Sequence, residues 1–230
     1  MKNQYSCIIP VYNERPRVIG VLSVVSKMPQ ITKIICVDDG STDGSYEEIH
    51  RRFPKITLLQ HKQNQGKAQA IATGLEYVSR GCCILLDSDL LDVMPEDIKH
   101  SIQVFNENTI DCLLLCAQPV NSIDFLTRIL FRLPHVVTGN RILKTEVLKD
   151  FFGKTSIHRY QFEFLLNSYL IHHRMRTAYI DITAKNVWKT QKNGVFRGIG
   201  DDARMWCQIL SGVSPVEMFR QIFFFARRKM

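Results

Sequence analysis

The chain has 230 residues, 45% of them hydrophobic and 23% charged, a balance that suits one soluble globular domain with a sizeable core. Its formal net charge of +8 suits an anionic partner (a nucleotide, a phospholipid headgroup or nucleic acid), and charge alone does not choose among them. The seven cysteines are odd in number, lie mostly inside apolar runs and form no Cys-x-x-Cys pair, which argues against a zinc site and for small buried hydrophobes in a reducing compartment.

Met1-Lys2-Asn3-Gln4 leads straight into an apolar run, so no signal peptide is expected. Nowhere do about 18 uncharged apolar residues run together, so no membrane-spanning helix is expected either. Tyr5–Val11 is a predicted strand closed by Pro10, Tyr12 and Asn13, followed by Val18, Val21, Leu22, Val25 and Met28 at helical spacing. Ile34-Ile35-Cys36-Val37 is a second strand, which stops at Asp38-Asp39-Gly40-Ser41-Thr42-Asp43-Gly44. A polar helix over Ser45–Arg52 and a third strand over residues 56–59 come next. The loop of residues 61–66 leads into a helix that carries Ala68, Ile71, Ala72, Leu75 and Val78 on one face. A fourth strand ends in Cys83-Ile84-Leu85-Leu86-Asp87-Ser88-Asp89. This alternation predicts a parallel sheet with helices on both faces.

Beyond Asp89, Pro95-Glu96-Asp97 starts a helix and residues 110–116 form a strand. Residues 120–134 are mixed and basic, while residues 141–152 and 160–171 have helical spacing. Residues 176–182 alternate like a strand near an edge, residues 189–200 read as a loop, and residues 201–210 and 215–230 read as final helices.

Chemistry gathers at three strand ends. These are Pro10-Val11-Tyr12-Asn13-Glu14, Asp38-Asp39-Gly40-Ser41-Thr42-Asp43 and Asp87-Ser88-Asp89, all on one edge of the predicted sheet, where open α/β sheets bind ligands. Asp87 and Asp89 lie two residues apart, so in an extended chain both carboxylates point the same way. Hard cations such as Mg²⁺ and Mn²⁺ bridge such carboxylates to phosphates; the same residues also suit a solvated turn. Tyr12 and Pro10 offer a flat apolar contact for a base, or Tyr12 simply packs at a strand end. Asp38 offers an acceptor for a base N–H. Lys67 follows Gly66 where an ammonium can meet a phosphate, or it is a solvated first-turn lysine.

These stretches resemble family 2 of the inverting glycosyltransferases, which have the GT-A fold. The resemblance rests on Ile8-Ile9-Pro10-Val11-Tyr12-Asn13-Glu14, Val37-Asp38-Asp39-Gly40-Ser41-Thr42-Asp43-Gly44, Asn64-Gln65-Gly66-Lys67-Ala68 and Leu86-Asp87-Ser88-Asp89, in the family's order. Thr138-Gly139-Asn140-Arg141-Ile142-Leu143 resembles the Gly-x-Arg segment of polyprenyl-phosphate-type members, and Tyr160-Gln161-Phe162-Glu163 their Glu-bearing helix.

The resemblance implies a nucleotide-sugar donor, UDP-sugar first and GDP-mannose second, bound by Pro10, Tyr12, Glu14, Asp38, Gly66, Lys67, Asp87 and Ser88. It implies a metal, Mg²⁺ or Mn²⁺, at Asp87 and Asp89, with Asp89 catalytic. Gly139 and Arg141 belong to the acceptor or phosphate side. Glu163 is either the general base or a surface glutamate, because Phe164 stands where related enzymes often carry an acid after the Glu. The rival reading is a nucleotide-sugar-binding protein without turnover, acting as a partner or regulator.

The expected architecture is a single GT-A domain over residues 1–212, with a nucleotide-binding half over 1–106 and an acceptor half over 107–212. A C-terminal helix follows over 213–230. In that helix Phe219, Phe223, Phe224 and Phe225 stand beside Arg220, Arg227, Arg228 and Lys229, the composition of a membrane-interface helix or of a helix packed on its own core. Expected partners are the donor, a lipid-linked acceptor and the membrane surface, and no nucleic acid. The expected location is cytoplasmic, peripheral on the cytoplasmic membrane face.

Overall fold

The computed structural model describes residues 4–118, 136–155, 157, 161–185, 214–226 and 228–230. The expected features of residues 120–134, 189–200 and 201–210, and the side chains of Phe224 and Arg227, lie outside that set.

The first half builds as the alternation predicts. Strand β1 (Tyr5–Val11) is buried along its whole length, and β2 (Ile31–Asp38), β3 (Thr57–Gln60) and β4 (Cys82–Leu85) all run parallel to it. Helix α1 (Arg15–Val25) carries Pro16 in its first turn, a position that needs no N–H, and buries Val18, Val21, Leu22 and Val25. Helices α2 (Ser45–Arg52), α3 (Lys67–Leu75) and α4 (Pro95–Glu107) complete the crossovers. Then come β5 (Cys112–Gln118), β6 (Arg141–Lys144), α5 (Thr145–Lys154), α6 (Phe162–His172), β7 (Thr177–Lys185), α7 (Pro215–Phe224) and β8 (Arg228–Lys229).

One sheet holds all eight strands in the order β3-β2-β1-β4-β6-β5-β7-β8, with β6 running antiparallel to both its neighbours. This is the mostly parallel sheet of a single α/β domain that the sequence implied. The residues of α1 and α4 pack with one face of β1, through Cys7, Ile9 and Val11. Those of α3, α5 and α6 pack on the other face of the sheet, through Ile8 of β1 and Leu85 of β4. Burial on both faces is why the strands read as unbroken apolar runs. From β1 the chain moves outward to β3 and returns on the other side at β4. The carboxyl ends of β1 and β4 therefore flank a topological switch point, the usual crevice for a ligand.

Three elements depart from expectation. The helix expected over residues 141–152 is in fact β6 followed by α5. Ile142 and Leu143 fill the gap between β4 and β5, and helical packing starts only with Val147, Leu148 and Phe151. Strand β4 stops at Leu85, short of the acids, so Asp87 and Asp89 sit on a turn and are not successive outward residues of one strand. The helix expected over residues 215–230 ends at Phe224, and the chain finishes as β8 alongside β7.

The described cysteines are all buried. Burial pushes the thiols of Cys82, Cys83 and Cys112 up to about 11. Such thiols behave as the small hydrophobes the sequence suggested, and Cys207 lies outside the described residues.

Candidate active site

The site is assembled from the carboxyl ends of β1, β2 and β4. The first two are sewn together. Asp39 N–H donates to Val11 O at 2.7 Å, Asn13 N–H to Ser41 Oγ at 2.9 Å, and Thr42 N–H to Asn13 Oδ1 at 2.8 Å. Arg15 N–H donates to Asp43 Oδ2, while Asp43 Oδ1 accepts from the Ser45 N–H and hydroxyl. Burial works to raise the Asp43 carboxyl, but these hydrogen bonds outweigh it and hold the group below its ordinary range.

With both loops fixed, Tyr12 is 46% exposed at the sheet edge, not packed at the strand end. Pro10 is buried in the ladder opposite Val37. Glu14 is buried at the start of α1 with Arg17 Nε 2.6 Å from its carboxylate. Asp38 is fully buried; its Oδ1 accepts from Ser41 N–H, and its Oδ2 has no hydrogen-bond partner among the described residues. A buried acceptor without a donor is unfavourable by about 1–3 kcal/mol.

The centre of the site is Lys67. Its Nζ lies 2.6 Å from Asp87 Oδ1 and 2.7 Å from Glu163 Oε1, which joins α3, the turn after β4 and the first turn of α6. Lys67 is thus paired and only partly exposed, and Glu163 turns inward from its helix. Burial alone would lower the lysine's pKa, but the two carboxylates outweigh that and hold it well above the ordinary value.

Gly139 makes this closure possible. A Cβ there would meet the Lys67 ammonium and lie 2.8 Å and 3.0 Å from the Asp87 carboxylate oxygens. Asn140 Oδ1 accepts from the Asp87 N–H at 2.8 Å and so fixes the turn. Ser88 is buried and Asp89 partly exposed on that turn.

Arg141 sits elsewhere than the sequence suggested. It is fully buried beneath the site, with Nη1 on Asn167 Oδ1 at 3.1 Å and Nη2 on Thr138 O. Asn167 Nδ2 continues to Val136 O and Gln221 Oε1, and Gln221 Nε2 reaches Phe164 O at 2.9 Å. This buried relay ties α7 and α6 to the segment before β6. Sequence reasoning missed Asn140, Asn167 and Gln221, whose only local signal is that Asn140 stands inside the Gly-x-Arg stretch. It also missed Asp39 and His61, the first of which adjoins Asp38.

No group of three or more His, Cys, Asp or Glu residues forms a metal cage among the described residues. Asp87 and Asp89 stand on one turn, with Asp87 already drawing the Lys67 cation, and carboxylate oxygens are the hard donors that Mg²⁺ and Mn²⁺ accept. No helix among the described residues is long and apolar enough to cross a membrane.

Comparison with known proteins agrees with this arrangement. The chain is similar to the uncharacterized glycosyltransferase YkcC of Bacillus subtilis (strain 168), 30% identical over 111 residues that cover 45% of this chain and 34% of that protein. It is 36% identical over 110 residues to an undecaprenyl-phosphate 4-deoxy-4-formamido-L-arabinose transferase of Yersinia pestis (strain Pestoides F), covering 44% of this chain and 33% of that one. The matches thus span about a third of the length of these relatives. The fold is that of glucosyl-3-phosphoglycerate synthase from Mycobacterium tuberculosis, crystallised with Mn²⁺, UDP and glucosyl-3-phosphoglycerate. The TM-score is 0.68 at 17% identity over 91% of this chain and 79% of that chain. The family model for glycosyl transferase family 2 matches residues 6–168, and with the GT-A arrangement of the sheet and its acids this places the chain in that family.

Proposed function

We propose that this protein moves a sugar from a nucleotide sugar, a UDP-sugar before GDP-mannose, to a lipid-linked acceptor of the polyprenyl-phosphate type. The observation that carries the reading is the Lys67, Asp87 and Glu163 cluster at the β1/β4 switch point, together with Asp38 Oδ2 at the end of β2, which has no partner among the described residues. Asp38 accepts the base N–H, with the exposed Tyr12 ring as the flat contact. Lys67 turns its ammonium from the two carboxylates to the diphosphate, and Ser88 and Glu14 hold the surrounding turns. Asp89 with Asp87 would hold Mg²⁺ or Mn²⁺, which when bound supplies positive charge to the leaving diphosphate. A phosphate acceptor arrives ionised and needs no base; a hydroxyl acceptor gives its proton to Glu163.

The undecaprenyl-phosphate transferases among the relatives support the lipid acceptor. The test is thermal unfolding with UDP, GDP, UDP-glucose and GDP-mannose, with and without Mn²⁺. A ligand of the folded state raises the midpoint. The largest rise is expected with UDP-glucose plus Mn²⁺; no rise with any of the four overturns the reading.

Membrane contact through α7 belongs to the same proposal. Val216, Phe219 and Phe223 share one face and are 76%, 57% and 44% exposed, with the two phenylalanine rings 4.2 Å apart. Gln221 faces inward and Phe225 is buried in the core, so the aromatics divide between core and surface. Arg220 and Lys229 stand exposed nearby, and each basic residue at an anionic leaflet contributes about 1 kcal/mol. The protein is expected to float with anionic liposomes at low salt, and Phe219→Ser/Phe223→Ser to remain at the bottom. Equal flotation of the two proteins, or none by the wild type, removes α7 as the contact.

A further inference from the structure

We propose that Asp39 and His61 are positioning residues that place the Lys67 ammonium. The proposal rests on the reading of Lys67 as the diphosphate's partner, and it adds what sets that lysine in place. The Asp39 carboxylate is buried and its backbone is tied to β1 through Val11. Its Oδ1 accepts from Gln65 N–H at 2.9 Å and from His61 Nδ1 at 2.7 Å. Its Oδ2 accepts from Gly66 N–H at 2.7 Å.

These two N–H groups immediately precede α3, which has no side-chain cap of its own. One carboxylate therefore grips the entry to the helix, where a negative charge is also favoured by the helix dipole. Gly66 is held there at φ +96°, a region L side chains avoid, and Lys67 begins the helix one residue later.

His61 supplies a second point of attachment. Its N–H donates to Asp38 O at 2.8 Å, and its ring Nε2 lies 3.0 Å from Thr73 Oγ1, well along α3. Because the carboxylate can only accept, Nδ1 carries the proton, and in the neutral ring Nε2 accepts from the threonine hydroxyl. Asp39 thus fixes where α3 starts, and His61 fixes how it is turned about its axis. Both settings are needed because Lys67 must reach oxygens on two other elements at once. A rigid support of this kind is what holds a binding group to within a few tenths of an ångström.

Two measurements test it. In the unliganded protein the ¹H–¹⁵N signal of the Lys67 ζ-ammonium, identified by its loss in Lys67→Arg, is expected to be sharp in the wild type. It is expected to vanish in Asp39→Asn and His61→Ala, with His61→Asn, which keeps a donor for Asp39, recovering it. In calorimetry, Lys67→Ala is expected to reduce the preference for UDP over uridine about tenfold to a hundredfold, the range of a charge-assisted hydrogen bond. Asp39→Asn and His61→Ala should reduce that preference about tenfold with uridine affinity unchanged, and should add nothing in the Lys67→Ala background. Persistence of the ammonium signal in both variants overturns the positioning, and so does additivity with Lys67→Ala. A wild type that binds UDP no better than uridine instead overturns the assigned role of Lys67, and the ammonium signal then decides the positioning alone. Thr73→Val, a milder change at the far end of the chain of contacts, is expected to broaden the signal should Asp39→Asn fail to fold.

Discussion

Asp89→Asn is expected to lower sugar transfer by more than about a hundredfold while the thermal midpoint stays within a few degrees of wild type. Even substitutions one shell out from a metal cost about 10–100-fold in affinity or activity, and a directly coordinating oxygen is worth more. Asparagine keeps the shape of the side chain and removes the anionic oxygen that a hard cation needs. The turn itself should survive, because the Asp87 N–H is fixed by Asn140. Asp87→Asn makes the informative contrast. It also removes a partner of Lys67, so it should weaken nucleotide binding even without metal. The measurement is transfer rate together with UDP affinity across a Mn²⁺ titration. Near wild-type transfer by Asp89→Asn would sink the assignment of that carboxylate.

Glu163→Gln carries the second large effect, and its size depends on the acceptor. With a hydroxyl acceptor the rate is expected to fall by roughly 10²–10⁴-fold, the usual worth of a general base. With a phosphate acceptor only the pairing with Lys67 is lost, one of two carboxylate contacts, and the change should stay within about tenfold. In that case Lys67 loses one of the two carboxylates that hold it, and UDP binding should weaken within the same range. Assays with a polyprenyl phosphate and with a free sugar, run side by side, separate the outcomes. A small effect with a demonstrated hydroxyl acceptor places the base elsewhere.

The first half of this fold was legible because its signals are contiguous. Strands buried on both faces appear as solid apolar runs, and each ends in a polar cluster that the parallel topology carries to one edge. The second half is decided by distant partners. Ile142, Leu143, Val147, Leu148 and Phe151 fit helical spacing well enough, and only the space between β4 and β5 turns the first two into a strand. The site divides in the same way. Asp38 and Asp89 announce themselves within short motifs, but nothing near Lys67 in sequence points to Glu163, 96 residues on. Asp38 and Asp39 are neighbours of identical chemistry. Successive residues at a strand end face opposite ways, and only the loop folded over β2 reveals which carboxylate is taken up by the protein itself.

Strand β8 is only two residues long, yet it lies on the outer side of β7, next to Ala178 and Tyr179. Met230 N–H donates to Tyr179 O at 3.0 Å, and Lys229 pairs with Asp181 at 2.8 Å. An uncovered strand edge is a template for pairing with another chain, and short, lysine-bearing edge strands are a common defence against it. Removing the segment after Ser214 would therefore do more than delete an exposed helix face. It would bare part of β7 and strip Asn167 of its Gln221 partner, so a shortened chain is expected to self-associate, and its behaviour with liposomes would report aggregation as much as lipid binding.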